Sequence, residues 1–257
     1  MMFTETSIKK WLVVPMPRPQ AKLALYCLPF AGGSSNSFRA WASLLPPAVE
    51  LRAVELPGHG SRLTENLYRR IDEIILPLAE AVAASADRPF ALFGHSMGAL
   101  LGYELVLKLQ ETGASIPVHV FLSGHGAPTL PDREEPIHQL PKPEFLAKIR
   151  QYNGTPHEVL ENQELMELME PILRADFEVC ETYQPTAVRK MDAHLTAMGG
   201  ISDPGAPRSD LEAWKDFTTK TFNVRMFPGD HFYLLQQKMT LLQAILQDIN
   251  KHFNLNG

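Results

Sequence analysis

Short apolar runs alternate along this chain with longer amphipathic stretches. The runs Leu23–Leu28 (LALYCL), Leu51–Glu55, Phe90–Phe93 (FALF), Val118–Leu122 (VHVFL), His194–Met198 (HLTAM) and Asn223–Phe227 (NVRMF) are partly β-branched or aromatic and end near Gly, Pro or Ser, which predicts strands. Between them the spacing predicts helices over Phe38–Leu45, Tyr68–Ser85, Met97–Glu111, Asp210–Thr218 and Phe232–Phe253. Gly113 supplies a stop for the third of these, and Pro77 predicts a kink in the second. Strand–helix alternation of this kind predicts an α/β fold with a mostly parallel sheet covered on both faces. Residues 128–188 break the rhythm: a proline-rich turn region (PTLPDREEP) leads into helical patterns at Pro143–Tyr152 and Glu164–Thr182, with no convincing strand. We read this stretch as a helical insertion over the strand ends, inside one domain spanning residues 1–257; the alternative is a second small helical domain.

Composition narrows the class. The chain has 257 residues, 45% hydrophobic and 21% charged, enough to bury a core and too apolar for disorder. The formal net charge is −5 and basic residues are scattered, so no nucleic-acid surface is expected. The N-terminal MMFTETSIKKW carries no apolar stretch of the kind a secretory signal needs, and no window reaches the roughly 18–20 apolar residues of a membrane span. Cys27 and Cys180 lie far apart without metal-ligand spacing, as expected of free thiols in a reducing cytoplasm.

The segment Leu92–Leu100, LFGHSMGAL, places G-x-S-x-G between a predicted strand and a predicted helix. The bare motif arises by chance in roughly one chain in twenty of this length, so the context carries the inference: strand, sharp turn, helix is what a nucleophile elbow requires. The glycines permit close backbone approach, the turn raises the Ser96 hydroxyl, and the Met97 amide at the helix start points to where an oxyanion would form. A serine hydroxyl needs a base. In this class of fold the order is nucleophile, acid, histidine, with the histidine after the last strand, which selects His231 behind NVRMF and Pro228–Gly229. His95 adjoins the serine and is expected to point elsewhere; His59 in PGHG is expected to be structural. The acid should follow the preceding strand, which selects Asp203 in GGISDP, with Asp230, Asp176 and Asp192 as competitors. A second oxyanion donor is expected from the small-residue loop after the first central strand, at the Ala31 amide or that of Phe30.

Taken together, PFAGGSS, ELPGHGSR, GHSMGALLGYEL, LSGHGAP, LRADFEVCETY, GGISDP and FPGDHFYL resemble the type II (external, editing) thioesterases that accompany polyketide synthases and non-ribosomal peptide synthetases, from about residue 20 onward. The resemblance implies an α/β-hydrolase fold with a helical lid at 128–188. It implies hydrolysis of thioesters on the phosphopantetheine arm of carrier domains, with Ser96 as nucleophile, Asp203 as acid and His231 as base. It further implies acyl or peptidyl carrier proteins as partners, no cofactor beyond the substrate's own arm, a cytoplasmic location and a monomer. One departure is visible: Pro29–Phe30 stands where many members carry a histidine near position 30, which should alter loop packing and leave the backbone donor intact.

Within the insertion, Leu165, Leu168, Met169, Ile172 and Phe177 recur at helical spacing; most are expected to pack the insertion onto the core, and a few to line an acyl channel. Lys142, Lys148 and Arg150 are candidate docking cations for an acidic carrier. The alternatives in the same chemistry are a medium-chain fatty-acyl thioesterase and a carboxylester hydrolase; outside it, a non-catalytic carrier-binding protein.

Overall fold

In the computed structural model, residues 8, 10–131, 135–152, 154, 157–185 and 188–255 are described. Residues 1–7 of the N-terminal stretch and Asp132–Glu134 of the proline-rich turn lie outside them.

Seven strands form one sheet: β1 (Leu12–Val13), β2 (Leu23–Leu28), β3 (Val49–Val54), β4 (Phe90–His95), β5 (His119–Ser123), β6 (His194–Gly200) and β7 (Phe222–Phe227). Their order is β1-β3-β2-β4-β5-β6-β7. Every pairing is parallel except β1 with β3. The sequence reading missed β1 because two residues cannot display a period. β3 begins at Val49, two residues before the predicted start at Leu51.

Alternation along the central strands divides the core. Ala24, Tyr26, Leu28, Phe90 and Leu92 face one layer, and Leu23, Leu25, Cys27, Ala91 and Phe93 face the other. Because helices cover both faces, β2 to β5 are buried at every position; β2 reads as a continuous apolar run, whereas β3 buries Glu50 and Arg52 as an ion pair. The edge strand β7 is only partly buried and places Asn223 and Arg225 along its length, which discourages pairing with another chain.

The helices are α1 (Trp41–Leu44), α2 (Ile71–Ser85), α3 (Met97–Glu111), α4 (Lys142–Tyr152), α5 (His157–Glu161), α6 (Gln163–Glu181), α7 (Arg208–Glu212), α8 (Tyr233–Gln236) and α9 (Lys238–Asn250). Residues of α2 and α3 pack in the first layer, those of α1 and α9 in the second. α2 runs on through Pro77. The helix expected over Phe38–Leu45 is a 3-10 turn, Ser35–Phe38, followed by α1, and the one expected over Asp210–Thr218 is α7 continued by a 3-10 turn, Ala213–Phe217. The terminal helix is broken at Gln237, whose backbone (φ −100°, ψ 26°) leaves the helical region. Between β5 and β6, α4 and α6 build a separate apolar cluster of Ile137, Phe145, Ile149, Met166 and Leu173. Its independence from the sheet explains why residues 128–188 broke the strand–helix rhythm.

Candidate active site

β4 runs into α3 with a single residue between them, and that residue is Ser96. Its backbone (φ 54°, ψ −117°) is the only non-glycine positive φ among the described residues. Such a conformation costs on the order of 1–3 kcal/mol and persists only where the surroundings enforce it. Here a Cβ on Gly94 would lie 1.9 Å from the Gly98 carbonyl oxygen, and one on Gly98 would lie 2.4 Å from that of Leu28. The Ser96 amide donates to the Ser123 carbonyl at 2.8 Å, tying the bend to the end of β5.

The loops leaving β6 and β7 are stitched together: the Ile201 amide donates to Phe227 at 2.8 Å and the Ser202 amide to Gly229 at 2.9 Å. This brings Asp203 and His231, 28 positions apart, within bonding reach, and His231 Nδ1 lies 2.8 Å from Asp203 Oδ2. The other oxygen, Oδ1, accepts the Gly205 amide at 2.9 Å. A carboxylate can only accept, so Nδ1 carries a proton, and Nε2 is the nitrogen with the lone pair whenever the ring is neutral. The Asp203 side chain is 2% exposed and that of His231 18%: the acid is sealed and the base remains reachable.

The competing acids are engaged elsewhere. Asp230 Oδ1 accepts the Phe232 amide at 3.0 Å, at the start of α8. Asp192 binds Thr219 and Lys220. Asp176 binds His59 Nε2 and the Gly32 amide. His95 lies beneath the bend, fully buried, with Nδ1 2.8 Å from Ser123 Oγ, which in turn meets the Tyr233 hydroxyl at 2.7 Å. Burial, then the neighbouring His231 and His125, hold its pKa well below the ordinary imidazole value, so it is neutral. Its ring nevertheless sits 4.9 Å from that of His231. Its side chain is expected from the sequence to point elsewhere than the serine, and it turns to Ser123; the contact with His231 leaves no trace in local spacing.

Ser96, Asp203 and His231 share a cavity of about 370 Å³ with Phe30 and Ala31. Among the described residues, neither the Ala31 nor the Met97 amide donates to a protein acceptor. Phe30 packs edge-on against His95 and Phe232 with centroids 5.9 and 5.0 Å away. The insertion supplies Ile149, Tyr152, Leu173 and Phe177 to the cavity wall. Of the expected apolar series Phe177 is thus a lining residue, Ile172 is buried, and Leu165 and Leu168 are 42% and 47% exposed. Lys142 pairs with Glu170 at 2.9 Å. The arrangement offers an alcohol, an oriented imidazole and the Ala31 amide lining one cavity, with the Met97 amide at the start of α3 next to the alcohol, the components acyl transfer uses.

The model of the thioesterase family, described as a thioesterase domain, matches residues 24–253. The gramicidin S biosynthesis protein GrsT of Aneurinibacillus migulanus is 36% identical over 244 residues, covering 95% of this chain and 95% of that protein. Thioesterase PikA5 of Streptomyces venezuelae is 35% identical over 248 residues, covering 94% of this chain and 85% of its own length. Among solved structures, the type II thioesterase BorB from the borrelidin biosynthetic cluster superposes with a TM-score of 0.84 at 33% identity, over 92% of this chain and 96% of its own.

Proposed function

The chain belongs to the thioesterase family, and from that premise we propose that it removes acyl groups from the phosphopantetheine arms of carrier domains, as an editing enzyme of polyketide or non-ribosomal peptide assembly. Similarity to proteins of such pathways supports the substrate class. The observation that carries the chemistry is the 2.8 Å bond from His231 Nδ1 to Asp203 in the cavity that Ser96 enters.

In the proposed reaction His231 Nε2 takes the Ser96 proton as Oγ attacks the thioester carbonyl. Asp203 holds the tautomer and offsets the imidazolium charge. The oxyanion is held by the Met97 and Ala31 amides, the former at the positive end of α3. Collapse breaks the C–S bond, the imidazolium protonates the departing thiolate, and an acyl-serine remains. Water then attacks with His231 as base, releasing the acid and restoring Ser96. All groups come from this chain, and the pantetheine arrives with the substrate. We place the enzyme in the cytoplasm as a monomer that meets its carriers there; no described helix is long and apolar enough to cross a membrane.

Carrier domains loaded with acetyl, medium-chain and aminoacyl groups, incubated with the enzyme and weighed by mass spectrometry, test this reading against matched p-nitrophenyl esters. Deacylation of carriers at a kcat/KM at least about 100-fold above the oxygen esters is expected. Preference for the oxygen esters would make the protein a carboxylester hydrolase. Activity confined to medium chains would make it a fatty-acyl thioesterase. A Ser96 that a fluorophosphonate does not label would leave only carrier binding.

A further inference from the structure

The turn that carries the Ala31 amide is held from outside by the helical insertion. Phe30–Gly33 is closed by the Gly33 amide on the Phe30 carbonyl at 2.8 Å. The intervening Gly32 amide points out of the turn and donates at 2.6 Å to Asp176 Oδ2, 144 positions away on α6. Gly32 has φ +74°, and a Cβ there would lie 2.5 Å from Leu173 Cδ2, on the same helix. Loop and helix therefore meet at a hydrogen bond and at a side-chain contact.

The same carboxylate oxygen binds His59 Nε2 at 2.9 Å, and His59 Nδ1 lies 3.0 Å from the Pro57 carbonyl. Both partners are pure acceptors, so both ring nitrogens must donate, and His59 is an imidazolium. Burial opposes that charge, but Asp176, the Pro57 carbonyl and, more weakly, Glu55 outweigh it, and the pKa of His59 is raised. Glu55 also accepts from Ser35 and Ser61, and the Arg62 guanidinium donates to its backbone carbonyl while pairing with Glu65. Asp176 and His59 are 2% and 4% exposed, so this ion pair is a built feature of the interface between α6 and the core.

We propose that Asp176 is a positioning residue for the oxyanion loop: docking of α6 through this carboxylate fixes the Phe30–Gly33 turn so that the Ala31 amide faces the substrate carbonyl, coupling closure of the insertion to assembly of the site. This rests on the acyl-transfer reading above. A purely structural pin would lower stability and leave turnover of folded enzyme unchanged; a positioning role appears in kcat. When pH rises through the raised pKa of His59, the imidazole loses one donor and the tie loosens, so wild-type kcat should fall on the alkaline side. In D176N, an amide oxygen at the Oδ2 position accepts from Gly32 and from Nε2–H of a neutral His59; without the carboxylate charge nothing holds the imidazolium, which removes that dependence.

The test measures kcat and KM of wild type, D176A and D176N with acetyl-pantetheine, a substrate too short to need the apolar wall, from pH 6 to 10, with thermal unfolding recorded in parallel. Expected are a 10–100-fold loss of kcat in D176A with KM within about threefold, recovery to within about fivefold in D176N, and no alkaline fall in kcat for D176N. A folded D176A with wild-type kcat, or a loss confined to KM, overturns the proposal. Should D176A not fold, D176N decides: an alkaline limb like that of wild type overturns the proposal, and its absence supports it. An inactive wild type would instead refute the acyl-transfer reading, so the two failures are distinguishable.

Discussion

A bend at Ser96 works only if nothing stands where two backbones meet. Gly98→Ala places a methyl 2.4 Å from the Leu28 oxygen, a backbone atom that cannot step aside without moving β2. We expect a loss of at least about 2–3 kcal/mol, read from the denaturant midpoint, together with collapse of activity, because the Ser96 bend shifts with its neighbour. Asp203→Asn keeps the shape and presents an NH₂ that can pair with the opposite tautomer of His231. Turnover should fall about 10³–10⁴-fold with KM nearly unchanged, measured on an acyl-pantetheine thioester. At this scale the sequence was informative where chemistry follows chain order: Ser96, Asp203 and His231 each stand directly after a strand or in the turn beyond it, and glycine spacing marks the bend. It was silent on His95–Ser123–Tyr233 and on Asp176–His59, because those pairings join segments whose separation leaves no periodic trace.

Among the elements, the outer end of the sheet depends on one carboxylate. Asp248 on α9 is 1% exposed and takes Arg225 Nε and Nη2 of β7 at 2.7 Å each, Lys251 Nζ at 2.7 Å and Thr196 Oγ1 of β6 at 3.1 Å. Burial alone would raise its pKa, yet Arg225 and Lys251 hold it well below the usual carboxylate range. A depressed folded pKa means its stabilisation is present above about pH 4 and is lost as pH falls further. Asp248→Ala should cost about 1.5–3 kcal/mol at pH 7, and the gap from wild type should narrow below pH 4 in thermal melts. β2, β4 and β5 were legible because burial on both faces makes them mostly apolar. The 3-10 turns and the break at Gln237 were not: hydrophobic spacing continues across Phe232–Phe253 while the backbone leaves the helix at Gln237.

For the whole molecule, the insertion supplies part of the cavity wall. Phe177 stands on α6 beside Tyr152, with centroids 5.6 Å apart, and both line the space above Ser96. Phe177→Ala should lengthen the pocket and shift preference toward longer acyl chains by about 5–10-fold in kcat/KM, scored on pantetheine thioesters of graded length. The most direct measurement of the central claim is rapid-quench mass spectrometry of the enzyme mixed with an acyl-loaded carrier. The account predicts a transient adduct of the acyl mass, mapped by proteolysis to the peptide holding Ser96 and absent from Ser96→Ala. Release of the acid at the wild-type rate by Ser96→Ala, or an adduct on any other residue, would contradict it.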